Sequence, residues 1–144
     1  MDYKLFKGIV EEVKNKKPVL FALESDEKPA QADIDAFEKE TGITLPQKYK
    51  DFVLDFGGGY FGFANIYSFD KNSSFYLLKH NNRPFDKYLK IADNGCGDYW
   101  LFCIENGKCM ENVFFNDHGA GTAVQTEYRD ILEYLTAIGL KKKF

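Results

Sequence analysis

Eighteen residues, ITLPQKYKDFVLDFGGGY from Ile43 to Tyr60, constrain this chain more than any other stretch. Pro46 suits the first helical position, where its missing N–H costs nothing. Tyr49, Phe52, Val53 and Phe56 then recur at helical spacing and define one apolar face. Gly57-Gly58-Gly59 ends the helix and brings a backbone freedom that a Cβ would forbid. A helix that opens, buries one face and stops this abruptly needs a partner layer. The residues from Tyr60 onward, rich in rings and β-branched side chains, supply one.

The rest of the chain reads around that unit. Leu5, Phe6, Ile9, Val10 and Val13 predict a helix from about Asp2 to Asn15, stopped by Pro18. Val19 to Leu23 is a short apolar run, a strand or an extended packing segment. A second helix starts near Gln31, turns Ile34 and Phe37 inward and ends at Gly42. Strands are expected over Tyr60–Phe69, Phe75–Lys79 and Leu89–Ala92. His80–Leu89 is ambiguous, with Pro84 able to open a short helical turn. Glu105-Asn106-Gly107-Lys108 is the clearest hairpin signal, because Asn-Gly takes the two positive φ angles of a type I′ turn. It pairs Ile104 with Cys109, Phe102 with Glu111 and Trp100 with Val113. One face of that hairpin carries Trp100, Phe102, Ile104, Val113 and Phe115, and the other Leu101, Cys103, Met110 and Phe114. Both are apolar, so the hairpin is covered twice or keeps one face for a partner. Asn116–Gly121 reads as a loop. Thr126 caps a last helix carrying Tyr128, Ile131, Leu132, Leu135 and Ile138 and ending at Gly139. Residues 141–144 form a basic tail.

Helices, then strands, then a helix make an α+β plan: one domain over residues 1–144, with a largely antiparallel sheet covered by the N-terminal helices and a C-terminal helix. A chain of 144 residues can bury roughly 68% of its unfolded surface without disulfides or metals. Net charge is −3 with a sequence pI near 5.4, which argues against direct nucleic-acid binding, since that needs a dense basic surface. No stretch approaches the ~18 apolar residues of a membrane helix, and the N-terminus lacks the apolar core of a signal peptide. Three cysteines cannot all pair, and none stands in a C-x-x-C, which points to a reduced, cytoplasmic setting.

Two blocks carry a family resemblance. The first extends upstream to Ile34, Phe37, Glu38 and Gly42, giving I-x-x-F-E-x-x-x-G-I-x-L-P-x-x-Y-x-x-F-x-x-x-x-G-G. The second is Ile91-Ala92-Asp93-Asn94-Gly95-Cys96-Gly97-Asp98-Tyr99-Trp100, a Gly-Asp pair running into an aromatic strand. Together they resemble the SUKH superfamily, in the branch named for a yeast regulator of cell-wall glucan synthesis. The resemblance implies the same α+β architecture and a non-enzymatic protein-binding module. Its bacterial members are often immunity proteins that occlude a cognate toxin, commonly a nuclease with a basic cleft. The alternative it implies is a regulatory or scaffold protein of the glucan-synthesis type. Tyr60, Asp93, Asp98, Trp100 and Asp117 are the expected partner-binding positions.

Other chemistries are weaker on the residues themselves. Cys96 could act as a nucleophile if His80 or His118 met it, but nothing in the sequence brings them together. His80, Cys96, Cys103, Cys109 and His118 are scattered singly, without the spacing of a zinc site, so no metal and no cofactor is expected. Asp93, Asp98 and Asp117 sit at strand ends and could converge on one rim for acid–base work, although Asp and Asn there more often cap turns. With His118 they are the residues on which a small hydrolase would be built. The glycine run closes a helix and is followed by Tyr60 rather than Lys, so it is not a phosphate loop. A groove behind it, lined by Tyr60 and Trp100, could still take a small regulatory molecule. The rings from Tyr60 to Tyr76 are nearly free of Arg and Lys, which suits packing better than base stacking.

Overall fold

The computed structural model describes residues 1–118 and 121–144. Three helices lead: α1 (Tyr3–Lys16), α2 (Gln31–Thr41) and α3 (Gln47–Phe56). Six strands follow: β1 (Gly59–Phe61), β2 (Ala64–Ile66), β3 (Tyr88–Asp93), β4 (Tyr99–Glu105), β5 (Lys108–Asn116) and β6 (Val124–Gln125). The short helix α4 (Ile131–Tyr134) runs into a π-helical turn over Leu135–Gly139. The strands form one antiparallel sheet in sequential order, as the α+β reading expects.

Local signals explain most of these boundaries. Asp2 caps α1 by accepting from the Leu5 N–H at 3.1 Å. Gly42 ends α2 in the left-handed conformation at φ 72°. Pro46 lies one position earlier than expected: it precedes α3 in an extended conformation, and its carbonyl accepts from Tyr49 and Lys50. Gly57 stops α3 because the carbonyl of Asp26 occupies the place where a Cβ would project. The glycine turn therefore packs on the 25–27 segment, with Asp26 donating to Gly58 at 2.9 Å and Ser25 bridging Gly59.

Five expectations change. Pro18–Phe21 is a 3-10 turn, not a strand, as an X-Pro start and a four-residue run allow. The stretch from Tyr60 to Phe69 divides at Gly62-Phe63 into β1 and β2. Phe75–Lys79 is not a strand either. Asp70 and Ser73 side chains bond the backbone N–H groups of Asn72 and Phe75, which coils the segment and leaves one bridge between Ser68 and Tyr76. Asp130 caps α4 by accepting from Glu133 at 2.9 Å, while Thr126 binds back to the Val113 carbonyl of β5. His80–Lys87 holds no helical turn after the 3-10 residues Leu77–Lys79. The expected 116–121 loop falls partly outside the described residues.

The hairpin is where expected. Asn106 and Gly107 take φ of 51° and 76°, and Ile104 faces Cys109. Beyond that pair β5 bulges, so Phe102 meets Val113 and Trp100 meets Phe115, two residues further along β5 than the turn alone predicts. A two-residue slip preserves which side each residue faces. Phe102 and Val113 are fully buried in the main core, and Cys109 joins them. That core lies under the helices. Phe6, Phe52 and Phe61 meet with ring centroids 5.0–6.2 Å apart, Tyr49 sits 5.9 Å from Phe102, and Tyr134 sits 5.0 Å from Trp100. The opposite face carries Tyr88, Lys90, Tyr99, Leu101, Cys103 and Phe114. Tyr88 meets Phe114 at 5.6 Å and the Lys90 ammonium lies 4.1 Å from the Tyr99 ring centre. Leu101 and Cys103 stay buried beneath these neighbours.

β2 is shorter than β3, and a side chain completes the pairing. Past the bond from Tyr67 N–H to the Ile91 carbonyl, Asn81 takes the place of a strand. Its amide accepts from the Lys90 N–H at 2.8 Å and donates to the Lys90 carbonyl at 2.9 Å.

Candidate functional site

Antiparallel pairing sets Tyr60 opposite Asn65, Asn65 opposite Asp93, Asp93 opposite Tyr99 and Tyr99 opposite Asn116. These five positions form one row on one face, with Tyr60 roughly 10 Å from Asp93 across the intervening strand. At the same end of the sheet lie the β1–β2 turn with exposed Phe63, the β3–β4 loop and the start of the β5–β6 connection. The rim inferred from strand ends is thus a real place in the fold.

The carboxylates divide between two tasks there. Asp98 is the hub: one oxygen accepts from the His118 imidazole at 2.7 Å and from the His118 backbone N–H at 3.0 Å, and the other from the Asn94 amide at 2.7 Å. Asp117 lies beside the same imidazole, 3.7 Å from Nδ1. The His118 imidazole beside Asp98, with the His118 and Asn94 donors, brings the Asp98 pKa down to about 2. Reciprocally, the bond to Asp98 and the nearby charges of Asp98 and Asp117 raise His118 above its ordinary value. Asp93 serves the other task. It accepts from the Tyr67 hydroxyl at 2.7 Å, from Asn65 at 3.3 Å and from the Gly95 N–H at 2.9 Å, which ties the β3–β4 loop to β2. Burial first, and the bond to Asp93 second, push the Tyr67 phenol far above its ordinary value, so it stays protonated and donates to Asp93.

The five expected partner-binding positions therefore separate by place. Asp98 and Asp117 converge through His118; Asp93 adjoins them on the same loop. Tyr60 is exposed on the row, edge-on to Phe75 at 5.1 Å. Trp100 points to the other face, half-buried at 5.0 Å from both Phe115 and Tyr134. Sequence reasoning grouped His118 with the rim carboxylates only for a hydrolase, and it left His118 and Asn94 out of the expected partner-binding positions. The Asp98–His118 meeting joins residues twenty apart across a hairpin whose bulge no local pattern announces.

One oxygen each of Asp98 and Asp117 and a nitrogen of His118 lie within 4.8 Å of one another, a donor set able to hold a divalent cation. The imidazole is engaged by Asp98, so its described role is to fasten two loops. Cysteine chemistry is not assembled among the described residues. His80 stacks on Tyr67 at 3.9 Å and its Nε2 contacts the Ser74 carbonyl, while Cys103 and Cys109 are buried and all three thiols are free. Burial raises the Cys109 thiol to about 12, which makes it inert. Among the described residues no helix is long and apolar enough to cross a membrane.

Helices over one face of a six-stranded antiparallel sheet, entered through an L-P helix and a triple-glycine stop, define a family. The chain belongs to the SUKH_6 family, SMI1-KNR4 cell-wall, whose model matches residues 31–135. A protein of Pseudomonas syringae pv. tomato, known from a crystal structure, is similar over 94% of this chain and 99% of its own, with a TM-score of 0.62 and 18% identity. At that identity the likeness is one of fold. No curated protein matches this chain.

Proposed function

We propose that the protein is a non-enzymatic binding module of the immunity type, which occludes the basic cleft of a cognate toxin, often a nuclease, with the rim around Asp98. The observation that carries this reading is the fastening of Asp98, Asp117 and His118 across two loops, with Asp93 alongside. It presents fixed negative charge at one end of the sheet. Preorganised charge of this kind raises the rate of encounter with a basic partner and fixes its orientation. Tyr60, exposed on the adjoining row, is the aromatic anchor of the same surface. Trp100 acts from beneath, by holding β4 and β5 against α4. Three free cysteines suit a reduced cytoplasm, where the partner would be met before export.

The test is capture with tagged protein from the native cell lysate, followed by identification and stoichiometry. Recovery of a toxin domain at one-to-one ratio, lost in the double variant Asp98→Lys with Asp117→Lys, is the expected result. If no protein is retained while the purified chain cleaves or keeps a small molecule, the reading fails.

A further inference from the structure

A second acidic concavity is lined by none of the rim carboxylates Asp93, Asp98 and Asp117. The loop from Glu24 to Pro29, the outer side of α2 and the 69–78 segment enclose a groove of about 400 Å³, floored by Phe37, Phe69 and Tyr76. It continues past Glu27 and Asp70 into an open extension bounded by Glu24 and Asp26. Six carboxylates line the two parts, those of Glu24, Asp26, Glu27, Asp33, Glu40 and Asp70, against two lysines, Lys28 and Lys71. The excess of four exceeds the net charge of the whole chain, −3. Four acids elsewhere, Glu12, Glu38, Asp130 and Glu133, each have a cationic partner within 3.3 Å. Of the groove acids only Glu40 has an ion pair among the described residues, to Arg83 at 2.9 Å.

The groove is built rather than accidental. Asp70 accepts from the Glu27 and Asn72 N–H groups, which pins the two banks together. Asp26 accepts from the Ser68 hydroxyl, and Asp33 from the Ala30 N–H. Phe37 and Phe69 meet edge to face at 5.4 Å beneath them. Unpaired carboxylates on both banks repel one another and are relieved by a cation laid between them. An aromatic floor suits the methylene stems and cationic heads of Lys and Arg. A groove open at its far end admits a chain segment rather than a single capped ligand.

We infer that this groove takes an extended, lysine- or arginine-bearing peptide segment of a partner protein. The groove's carboxylates are not those of the rim, and each contact can fail without the other. The probe is a fluorescein-labelled peptide of four Lys-Ser repeats, titrated by anisotropy against the full chain at low and at physiological salt. Binding should weaken as salt rises. It should fall about tenfold in the variant Glu24→Lys with Glu27→Lys, whose side chains make no described hydrogen bond. The control Glu105→Lys, an exposed acid on the β4–β5 turn, should bind unchanged, and so should Asp98→Asn with Asp117→Asn. The inference is overturned if the peptide does not bind, or if the Glu105 control weakens it as much as the groove variant. Amide shifts in the unmodified protein give an answer independent of any variant. Perturbation at Glu27, Asp70 and Asn72 supports the groove, and perturbation confined to residues 93–98 and 117–118 refutes it. Groove binding together with failed toxin capture leaves this inference standing and removes the rim reading.

Discussion

Asp98 and His118 are the residues whose meeting gives the rim its shape, and their titration reports it. His118 is raised by its carboxylate partner, so the stabilisation it lends is complete below the unfolded imidazole value near 6.5 and is lost as pH rises through the raised folded value. A proton NMR titration should place the His118 midpoint above 6.5, and Asp98→Asn should return it toward that value; an unmoved midpoint would deny the contact. Tyr134 offers a second test. Its hydroxyl is buried with no hydrogen-bond partner among the described residues. Tyr134→Phe should therefore raise stability, by about 1 kcal/mol in urea unfolding. At this scale the sequence was half legible. Aspartates at strand ends marked the rim and His118 was grouped with them, but its bond to Asp98 was hidden, because hydrogen bonding across a hairpin leaves no trace in spacing. Asp93 shows the complementary difficulty: its type and place matched Asp98, and its bonds from Tyr67, Asn65 and Gly95 assign it to scaffolding.

Among the elements, the helices were readable and the strands less so. A helix declares itself through local period and caps, as α1, α2 and α3 do. A strand depends on neighbours far along the chain. Phe75–Lys79 had the right composition for a strand, yet the side chains of Asp70 and Ser73 bonded the backbone first. α4 shows what a single cap can hold. Asp130, almost fully buried, accepts from Glu133 and pairs with Lys48 at 2.9 Å and with the Met1 amine. Burial alone would raise its pKa; the amine, Lys48 and the Glu133 N–H outweigh burial and hold it below the usual carboxylate range. Asp130→Ala should cost about 3 kcal/mol, since it removes a cap and strands two cations. A depressed carboxylate contributes its stability above the unfolded value near 4 and loses it as pH falls through the folded one. The difference between wild type and Asp130→Ala in urea midpoints should therefore be full at pH 7 and shrink below about pH 4.

For the molecule as a whole, the core reaches beyond the residues that define the family. α1 lies before residue 31, yet its Phe6 is fully buried against Phe52, Phe56 and Phe61. Phe6→Ala should cost roughly 3–5 kcal/mol, as much as Phe52→Ala; a loss under 1 kcal/mol would show α1 to be an ornament. The α+β plan was legible because helix and strand periods segregate along the chain. The sidedness of the sheet was not, since both hairpin faces are apolar and only the helices choose between them. Asn81 carries one more consequence. By closing the open flank of β3 with an amide, the fold occupies the seat that a strand of some other molecule would take. Replaced by alanine, that flank would present a bare N–H and C=O at Lys90. The chain would then be expected to associate with itself strand to strand, visible as a concentration-dependent rise in sedimentation coefficient. One side chain thereby decides whether the sheet ends within the molecule or continues into the next.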